Sequence, residues 1–97
     1  MLPPDVIDFV LRRFGVEDRP EALRILANAT IHDGSPAGPR LVRCAAVASA
    51  GALERLKEYV RLLQVDFRDV VMAGEYCGTG NKLAQVRDLS QPISSEA

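Results

Sequence analysis

The segment from Leu41 to Ala48 places the strongest constraint on the fold, because it is apolar at nearly every position. Its alanine content favours a helix over a strand, the alternative for a short apolar run. A helix without a polar face is buried on most of its sides. Because Pro39 suits the first turn and Gly51 suits the end, we predict a helix at 39–50 with the other helices packed around it.

The segment that follows Gly51 has the clearest amphipathic pattern in the chain. Its apolar residues recur at spacings of three, four and three, which is typical of a helix with one buried face. Acidic and basic residues lie between them and can pair as Glu54–Lys57 and Glu58–Arg61. We therefore predict a tight turn at Gly51 and a helix at 52–64. The apolar residues of this helix are Leu53, Leu56, Val60 and Leu63.

The turn at Gly51 lies within a patterned stretch, residues 48–60. Gly51 stands three residues after Ala48, and the pairs Leu53-Glu54 and Leu56-Lys57 follow it. This pattern resembles the helix-turn-helix half of an ankyrin repeat. The resemblance implies a tight antiparallel pair of helices and, in proteins that stack several copies, protein binding. No second copy is visible in this sequence, so we use the resemblance as support for the helix pair and not as family membership.

The first helix is predicted from its two ends. Proline at positions 3 and 4 suits a first helical turn, where its missing N–H removes no hydrogen bond. An apolar stripe follows and ends before Gly15, a residue suited to close a helix in the left-handed conformation. We predict a helix at 4–14.

Two more helices are predicted from acidic residues at their starts. Asp18 and Glu21 have the spacing of a capping box, which predicts a helix at 19–30. Asp66 is a candidate N-cap for a helix at 67–76. The last seven residues of that segment also suit a strand, so both alternatives stay open there.

The chain as a whole is predicted to be all-α, a compact bundle of four to five short helices with an extended or disordered C-terminal tail. A single helical domain spans 1–89, and a flexible tail spans 90–97. Within the domain, 77–82 is a predicted loop or hairpin turn, and 83–89 is either helix or strand. The predicted core consists of Val6, Phe9, Val10, Leu23, Leu26, Leu41, Ala45, Ala48, Leu53, Leu56, Val60, Phe67 and Val70.

Charge and composition bound the function. The formal net charge is −1, and neither half of the chain departs far from neutral. This balance gives no electrostatic reason to expect nucleic acid or an anionic membrane as partner. The sequence contains no run of about 18 apolar residues, which is the length that would predict a membrane-spanning helix. The two cysteines lie in dissimilar contexts, which fits a reducing compartment, so we predict a cytoplasmic location.

No set of residues in the sequence matches a catalytic or metal site. His32, Cys44 and Cys77 could supply a thiol–imidazole pair, but Cys44 lies in an apolar helix that disfavours the thiolate. One histidine and two separated cysteines do not have the spacing of metal ligands. In 78–82 an asparagine separates the glycine from the lysine of a phosphate-binding pattern. We predict no enzymatic activity and no cofactor, and leave a role for Cys77 open.

Protein–protein interaction is the leading functional prediction, with an unknown protein or a second copy of the chain as the partner. It follows from the missing catalytic set and from a high apolar content for a chain this short. The outer face of the helix at 52–64 is the predicted binding face. Its candidate residues are Arg55, Glu58, Tyr59 and Arg61.

The alternative prediction is a DNA-binding regulator that uses the helix at 52–64. A helix-turn-helix for DNA has a small residue four positions before the turn glycine, where this chain has Val47. Glu54 and Glu58 alternate with the basic residues on the exposed side, and their carboxylates would face DNA phosphates. DNA binding therefore ranks second.

Overall fold

Five helices form the bundle in the computed structural model, which describes residues 2–77, 84–85 and 88–93. The predicted all-α fold is confirmed, and each helix lies within three residues of its predicted bounds. A short antiparallel pairing follows the last helix, with Tyr76 opposite Gln85. The elements are α1 (Pro4–Arg13), α2 (Arg19–Ala27), α3 (Pro39–Ser49), α4 (Leu53–Leu63), α5 (Phe67–Glu75), β1 (Tyr76–Cys77) and β2 (Ala84–Gln85).

Helix α3 lies at the centre of the bundle and packs against α1, α4 and α5. Its small residues let α5 approach closely. A Cβ atom built on Gly74 of α5 would lie 2.7 Å from the Cα atom of Cys44 in α3. Only glycine fits at this crossing. The predicted role of Cys44 as a small core residue is confirmed, since the residue is fully buried.

The turn between α3 and α4 confirms the predicted requirement for glycine. Ala50 and Gly51 both have positive φ angles, of 53° and 84°. A Cβ atom on Gly51 would lie 2.4 Å from the carbonyl oxygen of Arg13, at the end of α1. Glycine is therefore required at position 51 for two reasons: the backbone is left-handed there, and the turn lies too close to α1 for a side chain.

Seven of the thirteen predicted core residues are buried, and Leu23, Leu41, Leu53 and Val60 are partly buried against them. Ala48 is only half-buried and is not part of this core. Phe67 was wrongly assigned to the core, because 37% of its surface is exposed. All three residues of the first turn of α5, 67–69, are exposed, so this helix packs through its later turns. The spacing of apolar residues predicts which face of a helix is buried. It does not predict how far along the helix the neighbouring helices extend.

Two predicted helix-end interactions are wrong although the helix bounds hold. Asp18 precedes α2, but its side chain makes no capping hydrogen bond, and Glu21 instead pairs with Arg24. Asp18 already has a helical backbone conformation (φ −91°, ψ −15°), whereas a capping residue is usually extended. Helix α1 ends at Arg13 and the next residue, Phe14, is extended, while Gly15 has no positive φ angle, so the predicted left-handed end does not form.

The cap of α5 is as predicted. The side chain of Asp66 accepts a hydrogen bond from the backbone N–H of Arg68 at 3.1 Å. This residue has an extended backbone (φ −153°, ψ 98°), which aims its carboxylate at the first turn.

Residues 88–93 lie against α1 and α3. Leu89 and Ile93 are buried, and the backbone N–H of Ile93 donates to Asp5 Oδ2 at 3.0 Å. Ile93 thus packs on the bundle four residues beyond the predicted domain end at 89. The flexibility of 90–97 stays a prediction, and 94–97 lie outside the described residues.

The stretch between Cys77 and Leu89 is described only in part. Within the segment 83–89, for which helix and strand were both open, Ala84–Gln85 forms a strand. The loop or hairpin turn was predicted at 77–82, but the backbone of Cys77 belongs to β1. Residues 78–82 and the side chain of Cys77 lie outside what the structure describes.

Replacing Leu56 of α4 by alanine should lower the free energy of unfolding by ~2–5 kcal/mol, because its side chain is fully buried. Leu11→Ala is the matched control, since Leu11 is also helical but 46% exposed, and should cost less than ~1 kcal/mol. Urea unfolding followed by circular dichroism measures both. Equal losses would contradict the packing of α4.

Replacing Gly74 by alanine should destabilise the protein by ~1–3 kcal/mol, because the added methyl group overlaps the backbone of Cys44. Gly15→Ala provides the control, since a Cβ atom there meets nothing within 4 Å and should change stability by ~0.5 kcal/mol or less. Thermal unfolding of the two variants measures this difference. A Gly74→Ala variant as stable as wild type would disprove the close crossing of α3 and α5.

Candidate functional site

The predicted binding face on α4 is solvent-exposed at three of its four residues. Arg55, Glu58 and Arg61 are exposed, and Glu58 pairs with Arg61. Tyr59 is half-buried and packs against the core, so it is turned away from the most exposed side of α4. The structure thus brings Glu58 and Arg61 together. The assignment of this face to partner binding stays a prediction.

A more apolar surface lies between α3 and α5, which we call the α3–α5 groove. It is an open depression of about 380 Å³. Its apolar lining comes from both helices and from the first residue of β1, and two arginines contribute to it. The lining residues are Arg40, Leu41, Phe67, Arg68, Val71, Met72 and Tyr76.

A second depression, which we call the His32 depression, adjoins the groove. Its volume is about 420 Å³, and it shares Phe67 and Arg68 with the groove. The two depressions therefore adjoin at these two side chains. The remaining lining residues of the His32 depression are His32, Val65 and Asp66.

This combined surface exposes large apolar side chains. Six large hydrophobic residues are exposed in the described part of the chain, and three of them line these two depressions. Met72 is 39% exposed, close to the value for Phe67, and Val65 is more exposed still. Apolar side chains gathered at a concave surface are a feature of binding sites, whereas single scattered ones are ordinary.

A buried carboxylate lies beside the groove, at the end of α5. Glu75 is fully buried, and its two oxygens accept hydrogen bonds from Arg40 Nε at 2.7 Å and Nη2 at 2.8 Å. The Gln85 amide donates to it at 2.7 Å, and the Cys44 thiol donates at 3.4 Å. We call these four residues the Glu75 cluster, and they join α3, α5 and β2.

The Glu75 cluster holds its carboxylate in the ionised form. The hydrogen bonds from Arg40 lower the pKa of Glu75 to about 2, although burial alone would raise it. Gln85 and Cys44 lower this pKa further by donating to the same oxygens. The pKa of Arg40 is raised in return. A charge buried with this many donors is satisfied, and removal of Arg40 would leave it without its cation.

Arg40 also reaches the surface of the groove. Its side chain is 48% exposed, although Nε and Nη2 are bound to Glu75. Nη1 binds no acceptor among the described residues. Arg40 is therefore held in place by its two bonds to Glu75, while about half of its side chain stays exposed to solvent.

A second arginine of α3 has a structural role. Arg43 is buried, and its Nε donates to Asp5 Oδ2 at 2.9 Å. Its Nη1 donates to the backbone oxygens of Leu89 and Ser90. Burial raises the pKa of Asp5, but hydrogen bonds from Arg43 and from the Ile93 N–H outweigh it, so the pKa is lowered overall. This pair joins α1, α3 and the C-terminal segment, away from the groove residues.

The groove and the Glu75 cluster were not found from the sequence. Arg40 and Glu75 are 35 residues apart, and no local pattern relates them. A weak signal was present, because Glu75 stands four residues after Val71 in an otherwise apolar stretch. A charged residue four positions after an apolar one lies on the same face of the helix. If that face is buried, the carboxylate is buried with it and needs hydrogen-bond donors or a cation.

A metal site and a membrane-spanning helix have no counterpart in the described residues. They contain no group of three or more His, Cys, Asp or Glu placed to hold a metal ion. Among the helices described, none has the length and apolar character needed to cross a membrane. No protein-family model, curated protein or solved structure matches the chain.

The free energy of unfolding should fall in acid, because the buried carboxylate of Glu75 becomes protonated. Its pKa is about 2 in the folded state and near 4.5 when exposed, so its contribution is complete above pH 4.5 and is lost as the pH falls towards 2. Between neutral pH and about pH 2, wild-type protein should lose on the order of 3 kcal/mol more than Glu75→Gln.

Urea unfolding at a series of pH values measures this difference. Glu58→Gln on the exposed side of α4 is the control and should keep the wild-type pH profile. At neutral pH Glu75→Gln should itself be less stable by ~2–4 kcal/mol, because it leaves Arg40 without its anion. Parallel pH profiles for wild type and Glu75→Gln would rule out an ionised Glu75 in the folded protein.

Proposed function

We propose that the protein acts by binding another protein through the α3–α5 groove. The observation that carries this proposal is the gathering of exposed Phe67 and Met72 at a concave surface beside two arginines. Aromatic, methionine and arginine side chains are enriched in protein interfaces, and large apolar side chains there supply much of the binding energy. Covering the part of each of these two side chains that is still exposed, 37% of Phe67 and 39% of Met72, contributes about 1 kcal/mol per side chain.

The groove supports binding better than the outer face of α4, on which the sequence-based prediction was placed. On α4 the charges already pair within the helix, as Glu54–Lys57 and Glu58–Arg61. The groove differs from this face by its exposed apolar side chains, Phe67 and Met72, since its two arginines are also paired, with Glu75 and Asp66. The pairing on α4 disfavours the DNA-binding alternative, because it places the carboxylates of Glu54 and Glu58 beside basic groups that would contact phosphates.

The partner is either a different protein or a second copy of this chain. A cytoplasmic location is part of the proposal. The buried thiol of Cys44 supports it, because this thiol donates to Glu75 in its reduced form.

Met72→Glu tests the groove, because it places a charge at an exposed apolar position without touching the core. Tagged wild-type protein and this variant are incubated with an extract of the source cells, and bound proteins are identified by mass spectrometry. Capture of the specific partner, or self-association measured by sedimentation, should fall at least about tenfold for Met72→Glu. Arg61→Glu on α4 is the matched control and should behave as wild type.

The opposite pattern, with capture lost for Arg61→Glu and kept for Met72→Glu, would move the binding site to α4. A strictly monomeric wild-type protein that captures nothing would refute the proposed function. A mobility shift with DNA at low salt that Arg61→Glu abolishes would favour the DNA-binding alternative.

A further inference from the structure

We propose that residues 88–93 act as an intramolecular ligand of the helical bundle. They occupy a peptide-binding site on α1 and α3, and they leave and re-enter this site while the bundle stays folded. The site lies apart from the α3–α5 groove, because none of the residues that bind the segment lines the groove. Its occupation therefore goes beyond the function proposed above.

The segment is held on the bundle by a small set of contacts. Residues 88–93 contain no helix or strand, and within the described structure the hydrogen bonds that join them to the bundle involve only Arg43 and Asp5. Arg43 Nη1 donates to two consecutive backbone oxygens of the segment, at 3.3 and 3.4 Å. Asp5 Oδ2 accepts from the N–H of Ile93 at 3.0 Å. Leu89 and Ile93 are the buried side chains of the segment. It is thus bound as peptide ligands are, through backbone groups and two apolar anchors.

The segment also has local structure of its own. Asp88 Oδ1 accepts hydrogen bonds from the backbone N–H of Ser90 at 3.0 Å and from the Ser90 hydroxyl group. The backbone oxygen of Asp88 accepts from the N–H of Gln91 at 3.2 Å. These bonds close a turn without any group of the bundle. A ligand that is ordered before it binds loses less conformational entropy on binding, so the turn favours the return of the segment to its site.

The site keeps its own order when the segment leaves. Arg43 and Asp5 bind each other through Nε–Oδ2 at 2.9 Å and Nη2–Oδ1 at 3.2 Å. Release of the segment leaves this ion pair intact and gives water access to the freed donor and acceptor. No charge is left buried without a partner, which is the costly outcome when a buried pair is broken. Because α1 and α3 also pack directly on each other, the bundle can persist without the segment.

Gln85 keeps the segment near its site. Its amide donates to Glu75 at 2.7 Å, so the chain is attached to the bundle three residues before Asp88. A tether this short gives the segment a high effective concentration at the site. The site is therefore mostly occupied by the chain's own segment. A peptide added from outside binds wild-type protein weakly, because only the open fraction is available to it.

Hydrogen exchange of the full chain, followed by NMR, tests the release. The Ile93 amide should exchange at least about tenfold more slowly than in a free peptide, because it donates to Asp5. It should also exchange at least about a hundredfold faster than the slowest amides of α3, because the segment opens without the bundle. Exchange as slow as in α3 would make the segment an integral part of the fold, and exchange without protection would show an unoccupied site. Either result would overturn the proposal.

Release of the segment should uncover the site for a peptide added in trans. In the full chain, the double replacement Leu89→Asp and Ile93→Asp puts charges at both anchors and releases the segment. A fluorescent peptide with the sequence of residues 86–95 should bind this variant at least about tenfold more tightly than wild type. Fluorescence polarisation measures both affinities, and circular dichroism checks the helices. A variant that loses its helices, or one that stays folded and binds no peptide, would contradict the proposed site.

Two modified peptides serve as controls that leave the protein unchanged. Methylation of the Ile93 amide nitrogen removes the donor to Asp5 and should weaken binding at least about tenfold. Gln91→Ala alters an exposed side chain and should bind within about twofold of the unmodified peptide. Met72→Glu in the protein, which tests the groove, should change none of these affinities. Equal binding of the methylated and unmodified peptides would show that the peptide does not use Asp5, and the site on α1 and α3 would be wrong.

Discussion

The burial of Glu75 is the interaction on which the rest of the structure depends. A carboxylate loses its hydration when it is buried, and the loss is offset only if cations and donors surround it. Here Arg40, Gln85 and Cys44 supply them. They come from α3 and β2, so the ends of these elements must meet at α5. Gly74, directly before Glu75, allows the approach because no side chain separates α5 from Cys44.

The same ion pair links stability to the proposed function. The Arg40 guanidinium group holds Glu75, and the same side chain lines the α3–α5 groove. The groove therefore has a polar element whose position is set by the core and not by a flexible surface chain. Arg43, one turn further along α3, uses its whole guanidinium group inside the protein, where it binds Asp5 and the C-terminal segment. Two arginines on one helix thus have different roles because of their surroundings.

Most of the helices could be predicted because their signals are local. Proline in first turns, the repeat of Leu53, Leu56, Val60 and Leu63, and Asp66 before α5 each act within a few residues. The failures have equally local causes. The capping box at Asp18 did not form because its backbone is helical, and Phe67 is exposed because the first turn of α5 is not covered. The candidate site was not predicted, since its residues are distant in sequence.

The sequence by itself determined the all-α class, the first four helices, the turn at Gly51 and the central position of α3, and it left 70–76 open between helix and strand. These follow from propensity and spacing, which depend on neighbouring residues. Only the tertiary structure decided that Glu75 is buried with Arg40, 35 residues away, and that Ile93 meets Asp5 across 88 residues. Such pairings depend on which surfaces meet when the helices pack. The groove arises in the same way, because its lining comes from three separate elements.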